Sequence, residues 1–314
     1  MISPVNRYQQ RKEVLRHEIA EDLRLRASAH YNAYQFDDAI TVYQQIFDYV
    51  SRDETPRLWA GMKNGLGTAL SEQGIRTAGE EGARLLGESV AAYRLALQVF
   101  TREQLPGRWI IAHNNLGKAL QELGQFDEAA AVFREVLSEE ANRRDVTLNL
   151  VALYHDFIYD HEAALTLLQD WLGRHPGDAL GQLNLAEILF ATRHFSGSEE
   201  HSRVLADLTV EVPQVHAAQR ACEIAAILAR DDPELANSKL ADLVATLDGQ
   251  PADFTTGWAF SGTLHFVRGE EDLPHRDAIL KLFEALEAPN RDAILAGLRE
   301  VRESFNVALA ESGR

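Results

Sequence analysis

His155-Asp156 and Asp160-His161-Glu162 place two histidines and three carboxylates in one short stretch. Imidazole nitrogens and carboxylate oxygens can hold a divalent transition metal, and the same pair can exchange protons near neutrality. The spacing opposes both uses. A spacing of six positions between the histidines puts them on opposite sides of a helix unless a turn brings them back. His17-Glu18, with Glu21, lacks the second histidine that a zinc-protease helix needs. Cys222 is the single cysteine, which excludes an internal disulfide and a multi-cysteine metal site. Its neighbours in HAAQRACEIAAIL are apolar at helical spacing, so an inert buried thiol is expected. Gly65-Leu66-Gly67 lies inside a helical pattern and does not follow a strand, and no nucleophile elbow is present. The expectation is therefore no catalytic residue, no metal ligand set and no cofactor.

Amides are the other polar feature. Asn115, Asn149 and Asn184 each stand directly before a leucine, and Asn64 and Asn114 stand one place earlier. An amide carries donor and acceptor together, so a row of them could hold the backbone of an extended peptide. They could equally bond to neighbouring helices. Lys118 is the chief cation expected beside them. Leu148, Leu180, Leu183 and Phe190 would make the later part of such a surface apolar, suited to a hydrophobic segment or amphipathic helix. They could also pack against helices further along the chain. The candidate partner-binding set is Asn64, Asn114, Asn115, Lys118, Asn149, Asn184, Leu183 and Phe190.

Positioning these groups requires a scaffold, and Trp109 to Leu137 shows its unit. WIIAHNNLGKALQELGQFDEAAAVFREVL reads as two amphipathic helices joined by a tight turn at Gly124, whose type suits a left-handed conformation. Gly117 sits mid-helix, where it costs about 1 kcal/mol relative to alanine unless close packing compensates. Ala129 of the second helix is the expected neighbour, with Phe126, Phe133 and Leu137 filling the flanks. About 50 residues earlier, Pro56, Trp59, Asn64, Leu66-Gly67, Ala69-Leu70 and Gly74 match Pro106, Trp109, Asn114, Leu116-Gly117, Ala119-Leu120 and Gly124. A hairpin that recurs in this way cannot bury its apolar face alone and stacks on its copies.

This pattern resembles the tetratricopeptide repeat. The resemblance implies an all-α, right-handed α-solenoid of helical hairpins whose first helices line a concave groove, with a degenerate helical C-terminal region. It covers hairpins near 20–53, 60–101, 110–142, 144–176 and 179–208 within a solenoid spanning 20–212. Residues 1–19 form an N-terminal helix or cap, continuous with the first hairpin helix or broken from it. Residues 213–314 hold degenerate repeats and a capping helix with Ile294, Leu298, Val301 and Phe305 as its apolar stripe. The stretch 75–88 exceeds the usual repeat length, either as longer helix or as loop. In DFTTGWAFSGTLHFV, Trp258 and Gly262 echo a first helix, with a short strand hairpin as the alternative. Chaperone-tail binders of this family clamp a carboxylate with lysine, asparagine and arginine, whereas Asp145 and Asn149 occupy the corresponding places here. Carboxylate-tail binding is disfavoured.

With 314 residues, a single globular core would be strained, but a solenoid grows by neighbour contacts and needs no domain boundary. A net charge of -17 opposes binding to nucleic acid or to an anionic membrane. The N-terminal sequence lacks the apolar core of a secretory signal, and a cytoplasmic location is expected. The implied function is a non-catalytic scaffold or adaptor binding a protein or peptide in its groove. The alternative is a regulatory sensor in which a peptide or small ligand changes superhelical curvature and partner binding. Partner and oligomeric state stay open.

Overall fold

The computed structural model describes residues 4–209 and 212–312, so positions 1–3, 210, 211, 313 and 314 of the expected segments lie outside the described residues. Among the described residues there are fifteen α-helices, one π-helical turn and no strand. The chain divides into two compact units, Met1–Val146 and Thr147–Arg314.

The first unit is three stacked hairpins: α1 (Pro4–Asn32) with α2 (Phe36–Ile46), α3 (Pro56–Arg76) with α4 (Gly79–Leu97), and α5 (Pro106–Glu122) with α6 (Phe126–Glu139). Helix α2 also packs on α3 and α4 on α5, and α3 meets α5. Proline opens α3 and α5, where a missing N–H leaves no broken bond. Helix α1 is unbroken and buries Ala20, Leu23 and Ala27 against the first core cluster. The stretch 75–88 holds the end of α3, a turn at Thr77 and Ala78 and the start of α4, and both helices are longer, at 21 and 19 residues, than α5 and α6 at 17 and 14. Gly117 does meet a close neighbour, but that neighbour is Phe133. A Cβ at Gly117 would lie 2.5 Å from the Phe133 ring, and Gly67 meets Tyr93 in the same way one hairpin earlier. The larger side chain reaches the gap because it projects back along its own helix, whereas the short Ala129 does not.

In the second unit, α7 (Arg144–Ala152) runs into a π-helical turn at Leu153–Ile158, followed by α8 (His161–Arg174), α9 (Ala179–Ala191), α10 (Phe195–Thr209), α11 (Pro213–Ala229) and α12 (Pro233–Asp248). These pack in succession. Then the order changes: α13 (Ser261–Gly269) contacts the π-helical turn, α9 and α14 (Arg276–Leu286), while α15 (Arg291–Ser312) packs on α12 and α14. One core joins Leu183 and Phe190 of α9 to Ile224, Leu243, Phe260, Phe283 and Leu298. The stripe of Ile294, Leu298, Val301 and Phe305 lies in that core. The C-terminal helices thus share one core with Leu183, Ala186, Phe190 and Leu205 of the fifth hairpin, while α7 and α8 pack in a second cluster with Leu185, Ile188 and Leu189 of α9. Trp258 lies outside a helix, since residues 251–260 are non-helical and α13 begins only at Ser261.

Candidate functional site

In the first unit, the first helices present one face each along a shared track. On α5, Arg108, Ile111, Asn115, Lys118 and Glu122 follow one another by three or four residues and so share a face. Helix α3 offers Arg57, Gly61, Asn64, Thr68 and Glu72 in the same manner, and α1 offers Glu21, Arg24, Ser28 and Tyr31. Two clefts lie along these helices. The larger, of about 700 Å³, is lined by Arg24, Ser28, Arg57, Gly61 and Arg108 among others. Arg24 is paired with Glu21 at 2.7 Å, and the Arg108 guanidinium lies 5.6 Å over the Phe100 ring. The smaller, of about 190 Å³, is lined by Tyr31, Thr68, Ser71, Glu72, Asn115, Lys118 and Glu122. Burial holds the Glu122 carboxyl above its ordinary value, with Lys118 acting in the opposite sense. Between the clefts in sequence, Asn64 keeps a buried Oδ1 that accepts no hydrogen bond among the described residues, and Ile111 is 52% exposed.

The expected binding residues separate along these lines. Asn115 and Lys118 line one cleft, and Asn64 stands on the same face of α3 as the residues of both. Asn114 is half-buried and lines neither cleft. Lys118 is not the chief cation of this track, because Arg24, Arg57 and Arg108 gather at the larger cleft. The rest of the asparagine row belongs to the second unit. There Asn149 is half-buried, and Asn184 donates its Nδ2 to the Leu180 carbonyl of its own helix at 2.7 Å. Leu183 and Phe190 are no groove surface: both are wholly buried, and the Phe190 ring lies 5.7 Å from Phe266 and 6.1 Å from Phe283. The C-terminal helices cover them because α9 is apolar on nearly every side and its burial requires partners all round.

Of the histidine and carboxylate stretch, buried His155 and half-buried Asp156 and His161 join one cluster in the second unit, while Asp160 and Glu162 are exposed. The turn does bring the histidines back. Tyr159 takes a left-handed φ of 61°, its ring stacked on His265 at 3.6 Å, and His161 then starts α8 with Nδ1 3.0 Å from His155 Nδ1. Glu187, on α9, is the residue that sequence reasoning missed. Its carboxylate accepts from Trp258 Nε1 at 3.0 Å and from the Thr263 hydroxyl at 2.9 Å, and lies 3.5 Å from His155 Nε2. The backbone N–H of Gly262 donates to Asp156 Oδ1 at 3.0 Å. A Cβ at Gly262 would lie 2.3 Å from the His155 carbonyl oxygen, so only glycine lets α13 approach the π-helical turn this closely. The signal available in sequence was a lone carboxylate in the apolar run LNLAEILFA.

Charges in this cluster are strongly coupled to its burial. Burial alone would lower the His155 imidazole, yet the Glu187 hydrogen bond and the charges of Glu187 and Asp156 raise it above the ordinary histidine value. Burial, then Glu187, pushes the Asp156 carboxyl up to about 6. His161 is lowered to about 4 by burial and by His155 and His265. Cys222 is wholly buried, and burial together with the Glu187 charge holds its thiol well above the usual range. The thiol is buried, as its apolar neighbours led one to expect.

Comparison with known proteins agrees with this architecture. The tetratricopeptide repeat is recognised in residues 110–142. The fold is similar to a tetratricopeptide repeat protein from Parabacteroides merdae, with a TM-score of 0.57 and 14% identity over 90% of this chain and 99% of that one. The C-terminal part of a repeat-containing protein from Cytophaga hutchinsonii gives 0.55 at 13% identity, over 78% and 96% of the two chains. PilF of Pseudomonas aeruginosa gives 0.53 at 15% identity, over 75% and 95%. Among curated proteins there is no significant sequence match. At these identities the likeness concerns fold. Residues 110–142 thus match the tetratricopeptide repeat, and the chain as a whole is a helical-repeat protein whose fold is similar to solved tetratricopeptide-repeat structures.

Proposed function

We propose that the protein is a non-catalytic scaffold whose first unit holds a segment of a partner protein along α1, α3 and α5. The observation that carries this reading is the shared track of polar and apolar side chains on the three first helices, with its two clefts. Each group has a use. Asn64 stands on the same face of α3 as the residues of both clefts, and its amide carries donor and acceptor together. Ile111 offers an exposed apolar contact, and Asn115 can both donate and accept. Arg57 and Arg108 favour an acidic side chain at one end of the segment. Stacked helices hold these groups in place before binding, so the scaffold loses little conformational entropy on docking. A cytoplasmic setting fits the lone buried thiol, and no helix among the described residues is long and apolar enough to cross a membrane.

Affinity capture from lysate tests the reading, with wild type compared to Arg57→Ala/Asn115→Ala/Lys118→Ala. All three side chains line the clefts, so the variant is expected to fold and to lose the dominant captured protein. Equal capture by both would move the binding surface away from this track.

A further inference from the structure

Two buried glutamates in the second unit differ in how their charge is met. Glu223 is ion-paired to both Arg220 and Lys239, the latter at 3.1 Å. Glu187, equally buried at 2% exposure, has Trp258, Thr263 and His155 around its carboxylate, and Asp156 lies close by. Among the described residues, no lysine or arginine is ion-paired to Glu187 or Asp156. A buried carboxylate with a half-buried one beside it, and no permanent cation on either, makes a field that draws positive charge.

The donor geometry suits a metal ion. Ligand atoms of His155, Asp156 and Glu187 lie within 4.8 Å of one another. His155 Nε2 and Glu187 Oε1 are 3.5 Å apart, close to the ~3.4 Å edge that two donors make on a tetrahedral ion with bonds of about 2.0–2.1 Å. The Thr263 hydroxyl is 3.4 Å from the same nitrogen and adds an oxygen donor. Outer contacts orient the ligands as metal sites require. His155 Nδ1 can donate to His161 Nδ1 and so leave Nε2 free for the ion, while Trp258 fixes one oxygen of Glu187 and Gly262 fixes one of Asp156. A π-helical turn carries His155 and Asp156, and such turns recur where side chains are re-aimed for function.

We propose that His155, Asp156 and Glu187 bind one first-row divalent transition metal, with Thr263 as an additional oxygen donor. One imidazole with oxygen ligands favours zinc or manganese over calcium or magnesium, which prefer oxygen alone. The ion ties the π-helical turn and α9 to α13, and its role is to hold the C-terminal segment in place. The proposal stands apart from the groove of the first unit.

The test uses the full chain after chelation, titrated calorimetrically with zinc and with manganese. One ion per chain is expected, with affinity reduced about tenfold or more by Glu187→Gln and by Asp156→Asn, each checked for fold by circular dichroism. No binding of either ion, or binding undiminished in both folded variants, overturns the site. Zinc X-ray absorption on the wild type needs no variant. A first shell of one imidazole and oxygens supports the proposal, and two or more imidazoles overturn it.

Discussion

The two units use the same kind of hairpin and treat its first-helix face in opposite ways. In the first, α1, α3 and α5 leave clefts lined by arginine, asparagine and lysine. In the second, α13 packs on both the π-helical turn and α9. The composition of α9 explains the difference. Where a first helix is polar on its outer face, the face can stay open; where it carries Leu183 and Phe190, water is excluded only if more chain is added. A repeat motif therefore specifies the hairpin, and a few residues outside the motif decide whether its groove receives a partner or is filled by its own chain.

The largest effect that tests this contrast comes from the filled groove. Phe190→Ala removes a wholly buried ring that meets Phe195, Phe266 and Phe283, and should cost about 3–5 kcal/mol in urea denaturation. A loss under about 1 kcal/mol would mean that α9 does not need the C-terminal helices. Gly262→Ala is smaller in atoms, yet its methyl meets backbone and must push α13 from the π-helical turn, for about 1–3 kcal/mol.

The open groove should respond in the reverse sense. Arg57→Glu is expected to leave stability within about 0.5 kcal/mol and to weaken partner capture, because its side chain lines a cleft. A marked loss of stability would show that the arginine is structural.

A smaller, pH-dependent effect belongs to the third hairpin. His113 is buried, its imidazole lowered by burial against the opposing influences of the Trp109 carbonyl and Glu135. The unfolded chain then binds a proton more readily than the folded one. Stability should be complete above the ordinary histidine value and should fall as pH drops from there through the lower folded value. His113→Gln should flatten that slope in denaturation midpoints measured between pH 7 and 5.

Much of this was legible from spacing. Gly117, Gly67 and the prolines at 56 and 106 marked the hairpins of the first unit, since each residue type answers a local backbone or packing demand. Gly124 likewise takes a φ of 73°. The cluster was not legible, because Glu187 and Thr263 reach His155, and Trp258 reaches Glu187, from distant positions, and a π-helical turn leaves no periodic trace. Equally, apolar residues on α9 could not reveal whether a partner or the chain's own C-terminal helices would cover them. The asparagines share a sequence position but not a role, since Asn184 bonds within its helix while Asn115 lines a cleft.

Thiol accessibility is the most direct measurement of the contrast. In a Cys222→Ala background, Lys118→Cys and Leu183→Cys place single thiols on the open and the filled face, and maleimide labelling gives their rates under native conditions. The account predicts that the thiol at 118 reacts at the rate of a free thiol, while that at 183 reacts only as fast as the second unit opens. Equal, rapid labelling at both positions would contradict it.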